Sequence, residues 1–76
     1  MKKVYIQTNH ECKLNMFYSS RTNAVNSLIT SLKCYCEDIL QTVVEVHKTK
    51  YTDSVSVFDK VTGKVYRGMV DVANVH

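Results

Sequence analysis

One amphipathic stretch, about residues 21 to 40, constrains this chain more than any other feature. At about 100° per residue, Ala24, Val25, Leu28, Ile29, Leu32, Tyr35, Cys36, Ile39 and Leu40 fall in one arc. Asn23, Asn26, Thr30, Lys33 and Glu37 fall opposite. So wide an apolar stripe predicts a helix docked on a sheet. Ser20 is the expected N-cap, its hydroxyl accepting from an orphan N–H of the first turn. The rest of the chain reads as short strands. A single helix covers only one face of a sheet, so the other face must meet water or a partner. That face is expected to be rich in Tyr, Phe, Lys and Arg, which points to function on a surface rather than in a pocket.

The strands follow from alternation. Residues 3–7 set Val4 and Ile6 against Lys3, Tyr5 and Gln7. Thr8-Asn9-His10-Glu11 is polar and predicts a turn. Residues 12–18 alternate again and complete an N-terminal hairpin. After the helix, the β-branched run 42–48 reads as a strand, and 54–59 as another. Lys60-Val61-Thr62-Gly63 predicts a hairpin turn, with Gly63 supplying a positive φ. Residues 64–72 form the last strand with a bulge at Gly68, and 73–76 are expected to fray. The expectation is one α+β domain spanning 1–76. It has an antiparallel sheet of four to five strands, order β-β-α-β-β-β, with the helix packed on one face.

Composition bounds the function. At 76 residues the chain makes one domain and buries too little surface to build a deep, enclosed active site. An apolar share of 45% argues against disorder. Three cysteines cannot close a disulfide framework and fit a reducing compartment. No apolar run approaches the roughly 18 residues of a membrane span. The start, Met1 to Gln7, lacks the apolar core of a signal peptide, so a cytosolic location is expected. The net charge of +3 is a mild bias, and the scattered carboxylates argue against an acidic mimic of nucleic acid.

Catalytic and metal motifs fail on geometry. Zinc needs four converging ligands, yet Cys34 and Cys36 on a helix point about 200° apart. Cys36 reads as a small buried hydrophobe, Cys34 as near the surface and Cys12 as packed under the helix. His10, His47 and His76 have no evident nucleophile to serve, and Glu37 and Asp38 leave the helix on different sides. Thr62-Gly63-Lys64 lacks the upstream glycine and following helix of a P-loop. The expectation is a protein that is not an enzyme and uses neither cofactor nor metal.

With Val4, Ile6, Leu14, Met16, Val44, Val46, Val55 and Val57 assigned to the core, alternation sends Lys3, Tyr5, Lys13, Phe17, Glu45, His47, Ser56 and Phe58 to the uncovered face. Tyr66 and Arg67 join the candidate set, their phase depending on the bulge. The expected partner-binding residues are therefore Lys3, Tyr5, Lys13, Phe17, Phe58, Tyr66 and Arg67. Exposed aromatics serve as anchors for a protein partner or a homodimer. They also serve as stacking platforms for single-stranded nucleic acid, or simply pack against loops and lysine stems.

The start Lys3-Val4-Tyr5-Ile6 and the segment Phe17-Tyr18-Ser19-Ser20-Arg21-Thr22-Asn23-Ala24 resemble a strand-then-helix pattern of small accessory proteins of phages and mobile elements. In size and element order the chain is similar to some anti-CRISPR proteins. That resemblance implies a non-enzymatic inhibitor that binds a host protein or ribonucleoprotein, such as a CRISPR effector complex, in the host cytosol. It transfers no functional residue. A small nucleic-acid-binding or regulatory module is the alternative, and a dimeric structural or scaffold component comes third.

Overall fold

The helix begins where its cap requires. In the computed structural model, which describes residues 2–75, Ser20 is extended at φ −127° and ψ 130°. Its hydroxyl accepts from Asn23 N–H at 3.4 Å. Helix α1 (Arg21–Lys33) follows, with Ala24, Val25, Leu28 and Leu32 buried along one stripe.

The helix ends at Lys33, well short of residue 40, for local reasons. Tyr35 N–H bonds Leu32 C=O at 3.1 Å and Cys36 N–H bonds Lys33 C=O at 3.1 Å, the contracted spacing of a 3₁₀ turn. The buried carboxylate of Asp59 then accepts from the N–H groups of Glu37 and Asp38, at 3.2 and 3.4 Å. Asp38 in turn caps a 3₁₀ turn, Ile39–Gln41, through Leu40 N–H. A sheet-borne acceptor thus captures backbone that the apolar pattern assigns to the helix. Cys36 stays buried, but Ile39 and Leu40 are 54% and 92% exposed.

Five strands form one antiparallel sheet: β1 (Lys2–Asn9), β2 (Leu14–Tyr18), β3 (Thr42–Lys48), β4 (Thr52–Asp59) and β5 (Val65–Val75). Their spatial order is β2-β1-β5-β4-β3, which inserts the last strand between β1 and β4. The fold is therefore α+β, with one helix and the chain order β-β-α-β-β-β. Helix α1 rests on β1, β5 and β4 and reaches the edge strand β2. Leu28, Leu32, Val55, Val57 and Val70, with the smaller Ala24, are the fully buried apolar side chains between helix and sheet. At the helix start, Arg21 Nε lies 3.4 Å from the buried Asp53 carboxylate, and its guanidinium sits over the Tyr5 ring at 5.9 Å.

Two of the three hairpins, β1–β2 and β4–β5, use one device. Asn9 Oδ1 accepts from Glu11 and Cys12 N–H, and Lys13 N–H returns to Asn9 C=O at 2.7 Å. Asp59 Oδ1 accepts from Val61 and Thr62 N–H, and Gly63 N–H returns to Asp59 C=O at 2.8 Å. The fifth residue of each turn has a positive φ, 57° at Lys13 and 78° at Gly63. The first turn is thus residues 10–13, and Cys12, expected under the helix, is exposed.

Three further expectations are corrected. Gly68 makes no bulge, since β5 keeps unbroken register with both neighbours. It is glycine because a Cβ there would lie 2.6 Å from Leu28 Cδ1 and 2.8 Å from Thr8 O. The expected frayed tail continues β5, with Ala73 opposite Val4 and Asn74 opposite Lys3; His76 lies outside the described residues. The phase of β1 is inverted. Gln7 faces the helix, where its Nε2 donates to Ala24 C=O at 3.0 Å, and Val4 and Ile6 take the opposite face. Leu14 and Met16 do point to the helix side, but β2 is an edge strand and leaves them 59% and 48% exposed.

Candidate binding face

The face opposite α1 is uncovered, and the strand register arranges it in rows. Across β3, β4 and β5, Val43, Phe58 and Val65 stand side by side. In the next row Glu45, Ser56 and Arg67 do the same. These six residues line one shallow hollow of about 400 Å³. Its floor is an apolar ledge, and a carboxylate and a guanidinium flank the serine one row away. Phe58 is 37% and Val65 42% exposed.

A second apolar area lies at the other end of the sheet. Phe17 of β2 stands opposite Ile6 of β1, and Val4 opposite Ala73 of β5. Phe17 is 68% exposed. It lines a groove with Lys2, Lys3, Val4, Tyr18 and Ser19, so two ammonium groups border this patch. Between the two patches the face is polar apart from Met69. Thr52 donates to Asp71 Oδ1 at 2.8 Å, and His47 Nε2 lies 3.9 Å from Glu45 Oε2.

The structure divides the residues expected on this face. Phe17, Phe58 and Arg67 lie on it. Lys3 belongs by register to the helix side but borders the groove beside Phe17. Lys13 sits in the β1–β2 turn. Tyr5 is a correction: it stands opposite Val72 and Tyr18 and packs against the core beneath Arg21. Tyr66 is another, buried opposite Val57 and stacked on Tyr35 with centroids 6.2 Å apart. Both follow from phase. Once Gly68 is an ordinary strand position, Tyr66, Gly68 and Val70 share the helix side and Val65, Arg67 and Met69 turn outward. Val43, Val65, Val4 and Ile6 are the members the sequence reading missed. For Val65, the apolar spacing of Tyr66 and Val70 was the available signal.

The titrating groups that the fold moves lie on the helix side and in the adjoining turns. Burial raises the Cys36 thiol and the Tyr66 phenol. Burial also works against the Asp59 carboxylate, but the N–H groups of Val61, Thr62 and Asp38 and the Thr62 hydroxyl outweigh it, and its pKa is lowered. Lys64 is raised by its contact with Glu37, 3.3 Å away. Among the described residues, no three His, Cys, Asp or Glu side chains group as metal ligands would, and no helix is long and apolar enough to cross a membrane. No family model, curated protein or solved structure matches the chain.

Proposed function

We propose that this protein is a non-catalytic binding protein whose open sheet face docks a protein or ribonucleoprotein target. One observation carries the reading: Phe58 and Val65 stay accessible over a hollow walled by Arg67 and Glu45. An aromatic anchor with a charged rim is how binding energy concentrates in protein interfaces. Phe17, bordered by Lys2 and Lys3, supplies a second anchor at the far end. Both signs of charge occur on the face, since Glu45 and Asp71 oppose Arg67 and Lys2. A polyanionic backbone would meet those carboxylates, which favours a protein surface over bare nucleic acid.

The finer reading, a phage-encoded inhibitor of a host defence complex acting in the host cytosol, is supported by the resemblance in size and element order to anti-CRISPR proteins. Immobilised protein incubated with host lysate, with and without nuclease, tests both levels. A nuclease-resistant partner is expected. Phe58→Ala should weaken its binding by about 2 kcal/mol or more while leaving the melting temperature almost unchanged. A partner lost with nuclease, together with direct binding of the purified protein to the released nucleic acid, would support the nucleic-acid module instead. Equal binding by Phe58→Ala and Phe17→Ala would remove the open face as the site. Relief of inhibition by Phe58→Ala, in a cleavage assay with a purified CRISPR effector, tests the finer reading.

A further inference from the structure

We infer that the free edge of β3 pairs with β3 of a second copy about a two-fold axis, giving a continuous ten-stranded sheet. The inference does not rest on the open-face reading, because it concerns backbone at the rim. Two bonds fix which groups are free. Thr49 N–H reaches Thr52 C=O at 2.8 Å and Lys60 N–H reaches Gln41 C=O at 3.1 Å, at opposite ends of the β3–β4 ladder. Antiparallel pairs alternate between bonded and non-bonded. Val43, Glu45 and His47 therefore bond inward to β4. Val44, Val46 and Lys48 aim their N–H and C=O groups outward, past the last strand.

Among the described residues, the only guards on that edge are two charges, Glu45 on the open face and Lys48 at the strand's end. Natural edges are blunted by charged side chains, lysine above all, and by proline, bulges, inward charges or a covering helix. The run Thr42-Val43-Val44-Glu45-Val46-His47-Lys48 carries no proline, its register with β4 is unbroken, and α1 rests on the other strands.

The side chains select one register. A two-fold axis normal to the sheet keeps the faces matched, and outward groups must meet outward groups. Placing Val46 opposite its own copy sets Glu45 against His47 of the partner subunit twice, a carboxylate facing an imidazole that can donate to it. Shifting by one pair sets Glu45 against its own copy in one direction, where two like charges repel, and His47 against its own copy in the other; either shift loses both carboxylate–imidazole pairs. The chosen register also brings the 39–41 turn of one copy beside the hairpin at residues 49–51 of the other. Leu40 is 92% exposed on the first and Tyr51 62% exposed on the second, so each end of the seam covers apolar surface that the monomer leaves in water. An isologous contact of this kind closes at two copies.

Sedimentation velocity from about 10 µM to about 1 mM tests the pairing. A concentration-dependent dimer is expected. Glu45 and His47 are exposed, so their variants leave the fold intact. His47→Glu should weaken the dimer about tenfold by facing Glu45 with a second carboxylate. Adding Glu45→Lys to it should restore the dimer. Val46→Pro, which deletes an outward N–H, should abolish it, with circular dichroism confirming the fold. A monomer throughout the range would overturn the inference. So would a dimer indifferent to His47→Glu and unrescued by the double variant.

Discussion

Two turn residues show how single side chains decide this fold. Asn9 and Asp59 brace equivalent five-residue turns, yet the fifth position is Gly63 in one and Lys13 in the other. At φ 57° a lysine holds a conformation that disfavours an L-residue by about 1–2 kcal/mol. Glycine relieves that strain but loses about 0.5–1 kcal/mol through its freer unfolded chain. Strain is the larger effect, so Lys13→Gly should stabilise the protein by up to about 1 kcal/mol, read from a denaturant midpoint. A drop in the midpoint would mean that the Lys13 side chain makes a stabilising contact. Asp59 is the second case. Its carboxylate accepts N–H groups from two segments and its pKa is lowered. The unfolded side chain titrates near about 4. The stabilisation is therefore complete above that pH and is lost as pH falls through the lower, folded value. Asp59→Asn points an amide donor at backbone donors and should lower Tm at neutral pH by roughly 5–10 °C. The gap between variant and parent should close as pH falls below about 4. A gap constant down to pH of about 2 would assign the loss to shape rather than charge.

Helix and sheet approach closely where Leu28 lies over Gly68. A Cβ at Gly68 would clash with Leu28 Cδ1 and with Thr8 O, one movable and one fixed in the β1 ladder. Gly68→Ala should therefore cost about 1–3 kcal/mol by overpacking, and Leu28→Ala alone about 2–5 kcal/mol as a cavity. In the double variant the added methyl partly fills the space that leucine vacates. The two losses should then sum to less than additive in urea melts, and strict additivity would show that the sites do not touch. This contact also shows what the sequence made legible. The helix start, its buried stripe through Leu32, the strand count and the outward Phe58 all follow from capping and alternation. The helix end does not, because it depends on Asp59, distant in the chain. Nor does the phase of β1, where Val4 and Ile6 look like core and Gln7 does not. Gln7 is buried only because Ala24 presents a small side chain and a carbonyl above it. Tyr5 and Tyr66 left the candidate face for that kind of reason, while Phe17 and Phe58 needed only alternation and Arg67 was placed once Gly68 proved to be an ordinary strand position.

The whole molecule is asymmetric in stability as well as in surface. Helix α1 rests on β1, β5 and β4 and reaches the edge strand β2, while the other edge, β3, lies beyond it. Amide exchange reports how often each hydrogen bond opens, and the slowest amides report global unfolding. In dilute protein the slowest should lie in the central strand β5 and in β4, around Val57 and Val70, which are fully buried. The outward amides of Val44, Val46 and Lys48 should exchange fast, because the monomer offers them only water. Raising the concentration separates the two surfaces. Edge pairing should slow these amides together while leaving the open-face rows around Phe58 and Phe17 unchanged. A target docked on the open face should instead perturb Phe58, Val65 and Arg67, together with Val43 and Glu45 of the same hollow, and leave the outward amides of Val44, Val46 and Lys48 exchanging fast. Protection of Val44 and Val46 in dilute monomer would mean that something within the chain already caps the edge. Protection that rises with concentration on the Phe17 side instead would move the self-contact to the far end of the sheet.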